Sequence, residues 1–201
     1  MNHSDFLVSD KPRCGWVPLN KPFYVQYHDE EWGVPVHDDR LMFEFLVLET
    51  FQAGLSWEIV LKKRENFHRA FDDFDMETVA LYDDQKIREL QNNKGIIRNR
   101  LKIRAAVNNA QKCLELVEQH GSLSDYLWDF VEGQPVVNHW TSVDEIPART
   151  PLSDEISAEM KKLGFKFFGS TVCYAHLQAV GMVNDHTIDC FRYIVLTQQL
   201  L

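Results

Sequence analysis

The sequence predicts an all-α fold, and three observations carry that expectation. Apolar residues recur at helical spacing, most regularly at Ile103, Val107, Ala110, Leu114 and Val117. Residues suited to capping helix starts and Gly or Pro stops punctuate these runs, so the connections are short. No strand alternation is sustained, no repeat is visible, and nothing is low-complexity.

Taken in order, residues 1–12 are polar and expected to be flexible, and a single domain is expected over 13–201. Phe23 to His28 is a short segment, and Asp29 to Pro35 reads as a turn. Asp38 suits the N-cap of a helix that runs to Glu49 and breaks at Gly54. Trp57 to Phe67 forms the next helix, and Asp75 caps a short one containing Val79. Asp83 or Asp84 starts a helix that stops near Asn92 to Gly95. A long helix resumes at about Ile97 and ends at Gly121. Ser122 or Ser124 caps the helix of Tyr126 to Val131, and Val136-Val137 is a short extended pair in the 134–150 loop. Ser153 and Ser170 are the expected caps of two further helices, and Asn184-Asp185-His186 of the last.

Composition narrows the function classes. The 201 residues are 45% hydrophobic and 25% charged, as in a globular protein with a full core. No apolar run approaches the ~20 residues of a membrane span, and the start lacks the order of a signal peptide, so a cytoplasmic protein is expected. The four cysteines (14, 113, 173 and 190) are too few and scattered for a disulfide framework. The net charge of −9 argues against a polyanionic partner, but its distribution does not. Eight basic residues and one acid lie between Lys86 and Lys112, so that segment is +7 and the rest −16. A local basic field is what meets phosphates.

Three constellations could carry chemistry. Glu49 shares a helical face with Met42, Phe45, Leu46 and Ala53, where a carboxylate is costly without a partner. It is either a helix-end acid reaching water or the polar wall of a pocket with Trp16, Tyr27, Trp32 and Trp57 around it. Second, the turn Asn93 to Ile97, between two helices of the basic segment, points backbone N–H groups outward and suits an anion. Lys94, Arg98 and Arg100 would add charge there, and a plain helix–helix turn is the alternative. Third, His186 and Cys190 stand four apart, a spacing that on one helical face lets both reach a metal. Cys14 and His28 are candidates for two more ligands, and ordinary buried thiols and imidazoles are the alternative.

Taken together, these words resemble the 3-methyladenine DNA glycosylase I family, the constitutive bacterial type. The resemblance is carried by Arg13-Cys14-Gly15-Trp16, by Tyr27-His28-Asp29 with Glu31 to Pro35, and by Leu48-Glu49 with Gln52 to Trp57. Leu61 to Asn66, Gly95 to Ile103, Gly164 to Thr171 and Val183 to His186 continue it in the same order. It implies a helix-hairpin-helix glycosylase fold of two helical lobes, with the hairpin at about 84–117. It implies a structural zinc ion (Zn2+) on Cys14, His28, His186 and Cys190, joining the N- and C-terminal segments. It implies that Glu49 and Tyr27 hydrogen-bond the methylated base while Trp57 and Trp16 pack on it. Gly54 and Leu55 would meet the opened duplex, and Gly95, Ile97 and Arg98 would hold the strand. The implied partner is double-stranded DNA containing alkylated bases, and the expected state is a monomer.

The implied activity is hydrolysis of the N-glycosidic bond of 3-methyladenine after base flipping, with Glu49 as the catalytic carboxylate. The chain departs from most helix-hairpin-helix glycosylases in lacking any Asp between Ile96 and Ser124. No lyase lysine is evident either, so strand cleavage is not expected. The alternative is a non-catalytic, zinc-stabilised helical DNA-binding module, which would leave Glu49 and the rings idle.

Overall fold

The computed structural model describes residues 11–198. The expected flexibility of residues 1–10 lies outside the described residues. Lys11 and Pro12 do not share it: Pro12 O accepts from Phe191 N at 2.9 Å, and Lys11 Nζ lies 4.7 Å from the Phe191 ring centre.

The architecture is helical, as expected. Helix α1 spans Pro22–Gln26 and runs into one π-helical turn, Tyr27–Glu31. There follow α2 (Asp39–Gln52), α3 (Trp57–Ala70), α4 (Met76–Ala80), α5 (Asp84–Asn92) and α6 (Arg100–His120). Then come α7 (Leu123–Trp128), β1 (Val136–Val137), α8 (Pro151–Lys162), α9 (Ser170–Ala179), β2 (Val183–Asn184) and α10 (Phe191–Gln198). β1 and β2 pair in parallel, Val136 with Val183 and Val137 with Asn184.

Helix α2 is the centre of the fold. Asp38 caps it by accepting from Leu41 N at 2.8 Å. Met42 through Phe51 are all buried, so α2 has no solvent face beyond its ends and packs against α3, α6, α7 and α9. Its own acid Asp39 accepts from Ser124 N at 2.7 Å and Leu123 N at 3.1 Å, which anchors the start of α7. Its C-terminal end is held by Lys102 of α6, a buried lysine whose Nζ donates to Phe51 O at 3.0 Å and Ala53 O at 2.5 Å.

Several local expectations shift. Helix α6 starts at Arg100, because the Asn99 side chain caps Leu101 N and Lys102 N. Its buried stripe runs through Cys113 and Leu116, leaving Leu114 half-buried. Thr150, not Ser153, caps α8: Pro151 fits the first helical position and Ser153 returns the capping bond. Gly169 stands at the N-cap of α9, with no side-chain cap. The last helix starts at Phe191, because Asn184 is drawn into β2 and a turn closes Thr187 O on Cys190 N at 2.8 Å.

Gly181 fixes how the C-terminal segment lies on the N-terminal one. Its φ is +71°, and a Cβ there would run into the Val34 and Pro35 backbone. The close approach lets Gly33 N donate to Gln178 O at 3.1 Å and Val36 N to Val180 O at 3.0 Å.

Candidate active site and metal cluster

Two carboxylates of α2 are buried, each in a residue 4% exposed, and their surroundings differ. Glu44 accepts from Arg64 Nε at 2.6 Å and lies 3.0 Å from His68 Nε2. Glu49 has no hydrogen-bonding or charged partner among the described residues, and burial pushes its carboxyl up to about 8. It faces a cavity of about 690 Å³ that Tyr27, Trp57 and Trp16 also line. The pocket reading of Glu49 therefore replaces the helix-end reading.

The rings around Glu49 are placed by local structure. The π-helical turn turns Tyr27 toward the cavity and its neighbour His28 away from it. Tyr27 and Trp57 meet with ring centres 5.4 Å apart at 49°. The Trp57 indole N–H is buried without an acceptor among the described residues, and burial pushes the Tyr27 phenol well up, so it stays protonated. Trp16 stands edge-on to His28 at 5.2 Å and to Trp32 at 4.9 Å, so one ring joins the cavity to the metal-ligand constellation.

That constellation is Cys14, His28, His186 and Cys190, all buried, with one ligand atom of each within 4.8 Å of the others. Cys14 Sγ lies 3.4 Å from His186 Nδ1, and Cys190 Sγ lies 3.5 Å from both His28 Nε2 and His186 Nδ1. These are edge lengths of a tetrahedron with bonds of about 2.0–2.3 Å. The remaining ring nitrogens are oriented: His28 Nδ1 lies 2.8 Å from Asp29 Oδ1, and His186 Nε2 lies 3.0 Å from Trp32 O. Arg13 grips Asp29 through Nε at 2.8 Å and Nη2 at 2.6 Å. The four residues fit a metal, although His186 and Cys190 meet across a turn, not along a helix. The Cys190 thiol is held far below its ordinary value by the hydrogen bond from Cys14, with both imidazoles adding.

The other expected residues fall into two places. Gly54, with φ +80°, lines the cavity, and Leu55 beside it is 38% exposed. Gly95, Ile97 and Arg98 do not line the cavity. Their turn docks on α3, where Lys63 Nζ and Asn66 Nδ2 donate to Gly95 O at 3.0 and 3.3 Å. The Gly95 N–H is taken by Asn93 Oδ1 at 2.8 Å. Half of the basic run is engaged within the protein: Lys86 with Asp72, Arg104 with Asp84, Lys112 with Glu115, and Lys102 as above. Arg88, Lys94, Arg98 and Arg100 are exposed and have no partner among the described residues.

From the sequence, Gln178, Asn184 and Asp185 stand as undivided candidates to line or support the pocket; Gln178 is the one on the cavity, and the rest of the far wall was not foreseen. Thr171, Val172, Ala175 and Gln178 of α9 form it, and they belong to the Gly164–Thr171 word and its continuation. Helix α9 starts at the cavity, and its first-turn N–H groups carry no side-chain cap.

A buried acid with no partner among the described residues, beside rings that can stack, has the chemistry to hold a flat, electron-poor ligand. Comparison with known proteins narrows that class. The chain belongs to the methyladenine glycosylase family, whose model matches residues 16–193. It is 46% identical over 181 residues to DNA-3-methyladenine glycosylase 1 of Escherichia coli (strain K12), covering 90% of this chain and 96% of that protein. A crystal structure of a 3-methyladenine DNA glycosylase I superposes with a TM-score of 0.86 at 49% identity, over 90% of this chain and 98% of that one. A tyrosine-to-phenylalanine variant of such an enzyme, solved in complex with 3-methyladenine, superposes at 0.83 with 36% identity, over 85% and 92% of the two chains. No helix among the described residues is long and apolar enough to cross a membrane.

Proposed function

We infer that the protein excises 3-methyladenine from alkylated DNA by hydrolysing its N-glycosidic bond. The observation that carries this is Glu49, a buried acid with no partner among the described residues, in an aromatic cavity of base size. Membership of the family, and relatives named for this activity, support it.

A base methylated at N3 is cationic while attached to the sugar, so it leaves without much acid catalysis. The site's work is to flip the nucleotide, hold the base and admit water. Before a base enters, burial raises the Glu49 carboxyl to about 8, so at neutral pH it carries its proton. A cationic base entering the cavity would favour the ionised form, the Glu49 proton would pass to water, and the carboxylate left behind would accept from the exocyclic amine. Tyr27 would complete the polar edge, and Trp57 and Trp16 would stack on the ring. A neutral base gains neither the charge pairing nor the full cation–π attraction.

The strand would be held by a helix hairpin. The α8–α9 hairpin has free N–H groups at the cavity rim, which favours it for the phosphates next to the lesion. The α5–α6 hairpin would contribute Lys94, Arg98 and Arg100 to the flanking backbone, farther from the cavity. Gly54 and Leu55, exposed where α2 ends, would stand in the gap left by the flipped base.

Cys14, His28, His186 and Cys190 would hold a zinc ion. Four protein ligands leave no position for water, so the metal would act as a cross-link between the chain's two ends. The deciding experiment is chromatography of the bases released from methylated duplex DNA by the purified protein. Release of 3-methyladenine without strand cleavage is expected. Duplex binding with no base release would instead favour the non-catalytic DNA-binding module.

A further inference from the structure

Asp185 is fully buried and accepts four hydrogen bonds. Asn138 Nδ2 and Trp140 Nε1 donate to Oδ1, each at 2.7 Å. Tyr174 OH donates to Oδ2 at 2.5 Å, and Gln178 Nε2 donates to it at 2.7 Å. A carboxylate offers about four acceptor positions, so this one is filled from α9 and the 138–140 segment. Although Asp185 neighbours the cavity wall, it has no free lone pair with which to activate water. Its work is to hold its donors still.

Of those donors, Gln178 lines the cavity. An amide can ordinarily be turned end for end, but a carboxylate only accepts, so the Gln178 nitrogen must face Asp185. Its main chain is pinned as well, by Gly33 N on Gln178 O at 3.1 Å. Oε1 is the end that remains, and no donor reaches it among the described residues. With Gln178 on the cavity wall and its nitrogen taken by Asp185, the end of the amide left for a ligand is an acceptor, and Asp185 prevents it from becoming a donor.

We propose that Gln178 is a specificity-determining residue of this cavity, a fixed acceptor that selects a purine carrying an exocyclic amine over one carrying an oxygen in its place. Asp185 is the positioning residue behind it. An amine donates to Oε1. An oxo group would place oxygen against oxygen, with no amide rotation to relieve it. The proposal rests on the glycosylase reading and adds the residue that reads the base edge.

The test uses the full chain and two free bases, 3-methyladenine and 3-methylhypoxanthine, which differ at the amine. Binding is followed by quenching of tryptophan fluorescence in the wild type, Gln178→Met and Gln178→Ala. The Kd for 3-methyladenine is expected to rise about 10-fold in both variants, the loss of one hydrogen bond. The Kd for 3-methylhypoxanthine should stay constant or fall. Loss of both affinities by the same factor would mean that Gln178 only props the wall, and unchanged 3-methyladenine binding would mean that it does not touch the base. Either result overturns the proposal. Failure of the wild type to release 3-methyladenine from methylated DNA would instead overturn the functional reading beneath it.

Discussion

Replacing Glu49 with Gln should stabilise the protein while it damages excision, and the gain should grow with pH. The carboxyl is held at about 8 in the fold, against an ordinary 4.5. Below pH 4.5 it is protonated in both folded and unfolded chains, and its ionisation costs the fold nothing. Between 4.5 and 8 the unfolded chain loses the proton and the folded chain keeps it, so stability falls by up to about 1.4 kcal/mol per pH unit. Above about 8 both forms are ionised, and the penalty levels off near ~5 kcal/mol. Gln has the same shape and no such term. The ceiling on its gain is therefore ~3 kcal/mol at pH 7 and close to nothing at pH 4.5. Water in the cavity screens part of this, and half the ceiling is expected. At about 2–4 °C per kcal/mol, that is a rise in Tm of ~3–6 °C at pH 7. Thermal melts of both proteins from pH 5 to 9 measure it. A Tm difference that is flat with pH, or a variant less stable throughout, would refute the argument that Glu49 is buried without a partner. Excision of 3-methyladenine should fall about 100-fold in kcat/KM, as expected for a lost charge-assisted contact. Unchanged excision would remove Glu49 from the site.

Three further outcomes follow from the same structure. The purified protein should contain one zinc per chain by atomic absorption, and Cys14→Ser or prolonged chelation should lower its stability by several kcal/mol, read by urea unfolding; a metal-free protein of equal stability would dismiss the cross-link. Lys102→Met should cost about 2–3 kcal/mol in the same assay, because it leaves Phe51 O and Ala53 O unpaired at the end of α2; a neutral result would mean that water replaces the ammonium without loss. Gly181→Ala should destabilise by about 3 kcal/mol or more, since Cβ meets the Val34 and Pro35 backbone at positive φ, and a soluble variant with an unchanged melt would show that the two segments can separate freely.

Much of the fold was legible because its signals are local. Asp38, Asp75, Asp83 and Ser122 cap the helices expected of them, since a side chain reaching its own first turn needs no distant partner. Ser153 and the last helix were misplaced where a rival of equal local merit, or a distant strand, decided the outcome. Thr150 with Pro151 outcompeted Ser153. Pairing with Val136 and Val137 drew Val183 and Asn184 into β2. The basic run from Lys86 to Lys112 shows the same limit: charge can be counted in sequence, but only packing reveals that Lys102 is buried and Arg104 paired.

By itself, the sequence determined the helical class, the acid on an apolar face, the four candidate metal ligands and the family resemblance. Each depends on residue type and spacing alone. The tertiary structure decided what those residues face. Glu44 and Glu49 are both buried acids of one helix, and no periodicity says which has an arginine opposite it. The α9 wall, the saturated Asp185 and the fixed amide of Gln178 arise from contacts between segments far apart in the chain. Partnering is a property of the space around a side chain, and that space is set by every element that packs against it.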